Sequence, residues 1–93
     1  MQQQNRLQIG AVAFEQWREH LENGCRERQE SEGFWQEIER KGRELATRSG
    51  ELKPGEKENL ENLLMLTSGI EKKNIPERCR RILDLLAKER VVR

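Results

Sequence analysis

Apolar positions along this chain fall into four stripes at helical spacing. Phe14, Trp17, Leu21 and Cys25 lie three, four and four residues apart. That spacing predicts one face of an α-helix running from about Gly10 or Ala11 to about Arg28. Asn23-Gly24 is a candidate stop within it, since both residues tolerate the left-handed conformation. The stripe nevertheless continues to Cys25, and Glu22–Arg26 supports the helix at i,i+4. Ser31 is a candidate N-cap for a second helix carrying Phe34, Trp35, Ile38, Gly42 and Leu45. There Glu37–Lys41, Glu39–Arg43 and Glu44–Arg48 each place the acid four residues before the base, the more favourable orientation. Ser49 to Gly55 reads as a loop, with Gly50 suited to a helix C-cap and Pro54-Gly55 breaking the helical pattern.

The third helix, expected from Gly55 or Glu56 to Gly69, holds the densest apolar mass. Leu60, Leu63, Leu64 and Thr67 make one face at i, i+3, i+4 and i+7, and Met65 and Leu66 lie outside it. A helix apolar around most of its circumference is buried by several neighbours or by a partner, so the core is expected to form around it. Ile70 stands where an apolar contact often follows a helix cap, and Glu71 to Asn74 reads as a charged linker. Ile75-Pro76 opens the fourth helix. Pro76 fits a first turn, Ile75 is directed toward extended geometry by the proline, and Glu77 complements the helix dipole. Cys79, Ile82, Leu83 and Leu86 form its stripe, Leu85 lies off that face, and Val91-Val92 come near the end of the chain.

Short connections favour antiparallel neighbours. The expected fold is therefore all-α: a small antiparallel bundle of three to four helices, with residues 1–93 as a single helical domain and 1–9 as a frayed N-terminus. No strand-period pattern or internal repeat is present. In an up-down arrangement Trp35 falls near Leu21 and Cys25, and Trp17 near Leu45. The end of the first helix and the start of the fourth then share a layer.

Composition qualifies this picture. Hydrophobic residues make up 33% and charged residues 38% of the 93. A chain of this length buries only roughly 60–65% of its unfolded surface, so oligomerisation or a partner is expected to complete the core. The net charge of +1 exerts no global pull toward nucleic acid or membrane. Residues 71–93, however, carry eight Lys and Arg against four acids, about +4. Two cysteines are too few for a disulfide scaffold. No signal-peptide pattern follows Met1, and no stretch reaches membrane-spanning length. The expected setting is cytoplasmic, with no membrane association.

Enzyme chemistry finds little support. His20 is the sole histidine and stands on a polar face, without a nucleophile motif beside it. Cys25 and Cys79 lack the clustered spacing of a metal site, and the scattered glycines form no phosphate loop. The glutamates lie on faces already filled with Arg and Lys, the pattern of a solvated, ion-paired surface. No catalytic residue, cofactor or metal is expected. The two cysteines read as apolar fillers; a shared layer permits a disulfide, against which a cytosolic setting argues.

Three features suggest binding. Adjacent Phe34 and Trp35 cannot both point inward from one helix, so one is expected half exposed, and Trp is enriched at binding hot spots. Lys72, Lys73, Arg78, Arg80 and Arg81 cluster at the start of the fourth helix, where Arg78, Arg81 and Leu85 share one side. The acids Glu77, Asp84 and Glu89 interleave with them, and no aromatic is present for base stacking. The surplus apolar surface of Leu63 to Leu66 and of Leu85, Val91 and Val92 points the same way. The function expected is a non-enzymatic interaction protein that modulates a larger protein complex or a homo-oligomer, contacting its partner through Trp35, Arg78, Arg81 and Leu85. Nucleic-acid binding through residues 72–93 is the alternative. Small size, charge-laced helices and an absent catalytic set resemble a broad class of accessory and inhibitor proteins, including those of phages and mobile elements.

Overall fold

The computed structural model describes residues 6–91, with side chains described over 10–48 and 50–88. Four α-helices follow in order: α1 (Arg6–Arg26), α2 (Glu32–Thr47), α3 (Pro54–Thr67) and α4 (Ile75–Val91). Short 3₁₀ turns at Ser49–Glu51 and Lys72–Asn74 precede α3 and α4, and the described residues contain no strand. The all-α bundle read from periodicity is the fold observed. Each helix packs on the next, and α4 returns to α1 to close a four-helix ring.

Cross-helix contacts set the directions. Trp17 on α1 donates its indole N–H to the Ile38 carbonyl of α2 at 2.8 Å, and Gly24, further along α1, lies against Phe34 near the start of α2. Gly42 of α2 meets Leu64 of α3, and Glu39 meets Ser68 at 3.3 Å. Both pairs of helices are antiparallel. The core runs along the ring's axis, where Leu21, Ile38, Leu60, Leu63 and Ile82, drawn from all four helices, have no solvent exposure. Burying one such side chain is worth about 1.5–3 kcal/mol. Trp17 and Leu45 line one cleft, and Trp35, Leu21 and Cys25 belong to one core cluster.

The helix ends follow local chemistry. Ser31 caps α2, its hydroxyl accepting from the Phe34 N–H at 3.3 Å. At the end of α1, Gln29 N–H reaches the Gly24 carbonyl and Arg28 N–H the Cys25 carbonyl. This is a Schellman closure. It places Arg28 at φ 50°, the one non-glycine residue with positive φ among the described residues.

Several expectations are corrected. The N-terminal segment read as frayed to residue 9 is already helical from Arg6. Pro54 is the first residue of α3 rather than part of the preceding loop, because a first-turn proline gives up no helical hydrogen bond. The same segment, read as a loop, contains Leu52, which is 95% buried and anchors the connection to the core. Ile75 is helical (φ −56°, ψ −48°) and not extended. It is buried in the core, and tertiary packing outweighs the preference imposed by Pro76. Arg48 pairs with Glu51 rather than Glu44, which takes Arg40 instead, while Lys41–Glu37 and Arg43–Glu39 form as expected.

Candidate partner-binding surface

The four residues expected to contact a partner do not form one surface. Trp35 is only 3% exposed, and its indole N–H donates to the Gln29 carbonyl at 2.6 Å. It is a core residue that closes the α1–α2 turn, and its expected role at a docking surface is corrected. The half-exposed aromatic of the pair is Phe34, whose ring meets Trp35 edge-on at 4.9 Å and tilts against the His20 imidazole at 5.1 Å.

Arg78 also turns inward. One terminal nitrogen donates to the Leu66 carbonyl at 2.7 Å and to the Ser68 carbonyl at 2.8 Å. These carbonyls sit at the end of α3, where the last turn lacks intrahelical donors and the dipole favours a cation. Arg78 is therefore a tether between α4 and the end of α3. Arg81 is exposed and pairs with Glu77 at 3.3 Å. Leu85 is half-buried against the core. Arg81 and Leu85 do share a shallow surface depression of about 220 Å³ with Asp84 and Lys88.

A larger cleft, about 370 Å³, lies between α1 and α2. Its α1 wall is Ala13, Gln16, Trp17 and His20, and its α2 wall is Lys41, Glu44, Leu45 and Arg48. Each wall is an i, i+3, i+4, i+7 strip, and the antiparallel packing sets the strips face to face. The apolar side chains Ala13, Trp17 and Leu45 lie among groups of both charge signs. Sequence reading placed Trp17 near Leu45 but took the polar residues beside them, Gln16, His20, Lys41, Glu44 and Arg48, as solvated surface. The matched spacing of 13-16-17-20 and 41-44-45-48 was the available signal that these residues line the same contact.

The electrostatics around the cleft are largely internal to the chain. Lys41 pairs with Glu37 at 3.7 Å, Glu44 with Arg40 at 2.6 Å and Arg48 with Glu51 at 3.2 Å. The Arg40 guanidinium beside Glu37, hydrogen-bonded to it and aided by its charge and that of Lys41, holds this carboxyl below its usual range. Among the described residues no group of three or more His, Cys, Asp or Glu side chains converges as a metal site. No described helix is long and apolar enough to cross a membrane. Exposed large apolar side chains include Val12 (53%) and Met65 (74%). Val91's side chain and Val92, read as surplus apolar surface, lie outside the described residues. Compared with known proteins, the chain matches no family model, no curated sequence and no solved structure.

Proposed function

We propose that this protein is a non-enzymatic helical interaction protein that binds a larger protein assembly through the α1–α2 cleft. The observation that carries the reading is the cleft itself, with an apolar floor and a rim bearing Lys41, Arg48 and Glu44. Apolar ground within mixed charge suits an apolar side chain presented among acidic neighbours on a partner protein, the floor supplying affinity and the rim steering. A phosphate backbone has no use for the floor. Of the cations first grouped as a nucleic-acid surface, Arg78 is turned onto the α3 carbonyls.

The test is capture of partners from the native host by the parent chain and by a Lys41→Glu, Arg48→Glu double variant. Both positions are exposed, so the fold should persist, as circular dichroism would show. A protein held by the parent and lost by the variant, with the affinity of the purified pair reduced at least tenfold, is the expected result. Equal capture by both chains would refute the assignment to the cleft. Submicromolar binding to duplex or single-stranded nucleic acid near physiological salt, falling steeply as salt rises, would replace the protein reading with the nucleic-acid one.

A further inference from the structure

Met65 is the most exposed large apolar side chain among the described residues, at 74%. Its position follows from helix geometry. Leu60, Leu63 and Thr67 of α3 face the core, and residue 65 stands about 200° round the helix from residue 63. Glu58 and Glu61 are exposed on the same outer side. On α2, Glu37, Glu39 and Glu44 each hold an arginine or lysine of their own helix. Glu58 and Glu61 hold no ion-pair partner among the described residues. The outer face of α3 is thus an apolar knob beside two unneutralised carboxylates.

The outer face of α4 carries the opposite sign. Residues 75–88 include four bases against two acids, whereas α3 has three acids against one base. Arg81, Asp84, Leu85 and Lys88 line the shallow depression of about 220 Å³. Half-buried Leu85 is its apolar floor, and Arg81 and Lys88 outnumber Asp84 on its rim. Arg81 holds Glu77 at 3.3 Å, but both side chains are more than half exposed, so the pair is weak and a better match can replace it. Lys88 has no ion-pair partner among the described residues.

The fold sets the knob and the depression side by side. Arg78 ties the start of α4 to the end of α3, so the two helices run antiparallel. Arg81 and Leu85 follow Arg78 at helical spacing, on the side of α4 turned toward α3. A second copy rotated by half a turn about an axis along the α3–α4 seam therefore lays its α3 over the first copy's α4, and its α4 over the first copy's α3. Such a contact is isologous, makes each match twice and closes at two copies.

We propose that the outer α3–α4 face binds a second copy of this chain, with Met65, Glu58 and Glu61 of one copy meeting Leu85, Arg81 and Lys88 of the other. A lone apolar side chain on a surface needs no partner; the complementary charge beside Met65 and around Leu85 is what assigns one. Methionine is flexible enough to fill a shallow site, and the opposed charges fix the register. The carboxylates of α3 would repel a phosphate backbone. The face is two helices wide and about 21 Å long, α3 having 14 residues at about 1.5 Å each. An interface of that size is at the small end of specific ones, so the dimer is weak and concentration-dependent.

Sedimentation velocity of the full chain tests this from about 1 μM to about 1 mM, the range of weak affinities. Two charge-reversed chains are compared with the parent, one carrying Glu58→Lys and Glu61→Lys, the other Arg81→Glu and Lys88→Glu. All four positions are exposed, and circular dichroism checks that the helices persist. The parent should pass from monomer to dimer. Each reversed chain alone should dimerise at least about tenfold more weakly, because like charges then face each other twice. An equal mixture of the two should recover the parent's affinity to within about threefold, since reversed α3 meets reversed α4 and native meets native. A parent that stays monomeric, reversed chains that dimerise like the parent, or a mixture that does not associate each overturns the proposal. The cleft variant Lys41→Glu, Arg48→Glu should dimerise as the parent does, so the outcome is read separately from the partner-binding assignment; loss of the dimer in that variant also overturns the proposal.

Discussion

Along the α1–α2 seam the helices approach closely because two positions carry no side chain. A Cβ on Gly24 would run into the Phe34 ring, and one on Gly42 would stand 2.8 Å from Trp17 Cζ2 and 2.6 Å from Leu64 Cδ2. Along the α3–α4 seam the link is a long charged side chain, Arg78, reaching across to two carbonyls at the end of α3. The first seam is specified by shape and fails when atoms are added. The second is specified by hydrogen bonding and fails when atoms are removed. The difference teaches that residue type does not announce its role: glycine, usually a weakness in a helix, is here a contact, and an arginine in a basic cluster is a tether.

The comparison can be broken in order of expected effect. Leu60, fully buried on α3, belongs to the core that both seams enclose. Leu60→Ala should cost roughly 2–5 kcal/mol, measured by urea titration, and in a small domain can abolish the cooperative transition. Loss of less than about 1 kcal/mol would show that α3 is peripheral and that neither seam depends on it.

Gly42→Ala comes next and turns on sign. In an open helix interior the change gains about 1 kcal/mol. Here the new methyl group meets the Leu64 methyl, which can give way, and the Trp17 indole, which its bond to Ile38 holds in place. Overpacking costs about 1–3 kcal/mol, so the net result should be a loss of up to about 2 kcal/mol. A stabilised variant would mean that the seam is loose and not defined by shape.

Arg78→Met keeps the aliphatic stem and removes the donors. Because the group is only part-buried, water can replace it at the two carbonyls, and the loss should be about 1 kcal/mol. The change should leave protein capture by the cleft intact. An unchanged melt accompanied by lost nucleic-acid affinity would return Arg78 to a recognition role and leave the α3–α4 seam without its tether.

Helix count, helix type and most of the core were legible in the chain itself. Phe14, Trp17, Leu21 and Cys25 are buried as their spacing predicts, as are Leu60, Leu63 and Thr67 and, on the fourth helix, Cys79, Ile82 and Leu86, while Leu64 and Leu83 of the same stripes are only half-buried. Helical periodicity is a local property, written within a few residues of each position. What tertiary structure decided was which neighbour each ambiguous side chain would meet. Trp35 rather than Phe34 turned inward because its N–H found the Gln29 carbonyl of the preceding turn. Arg78 joined the α3 terminus because α4 set it beside unpartnered carbonyls. Leu52, in a stretch without period, was drawn into the core from a connection, and polar residues flanking Trp17 and Leu45 became the rim of a cleft. These outcomes depend on contacts between residues up to tens of positions apart, whose energies decide among local alternatives that a one-dimensional pattern leaves equal.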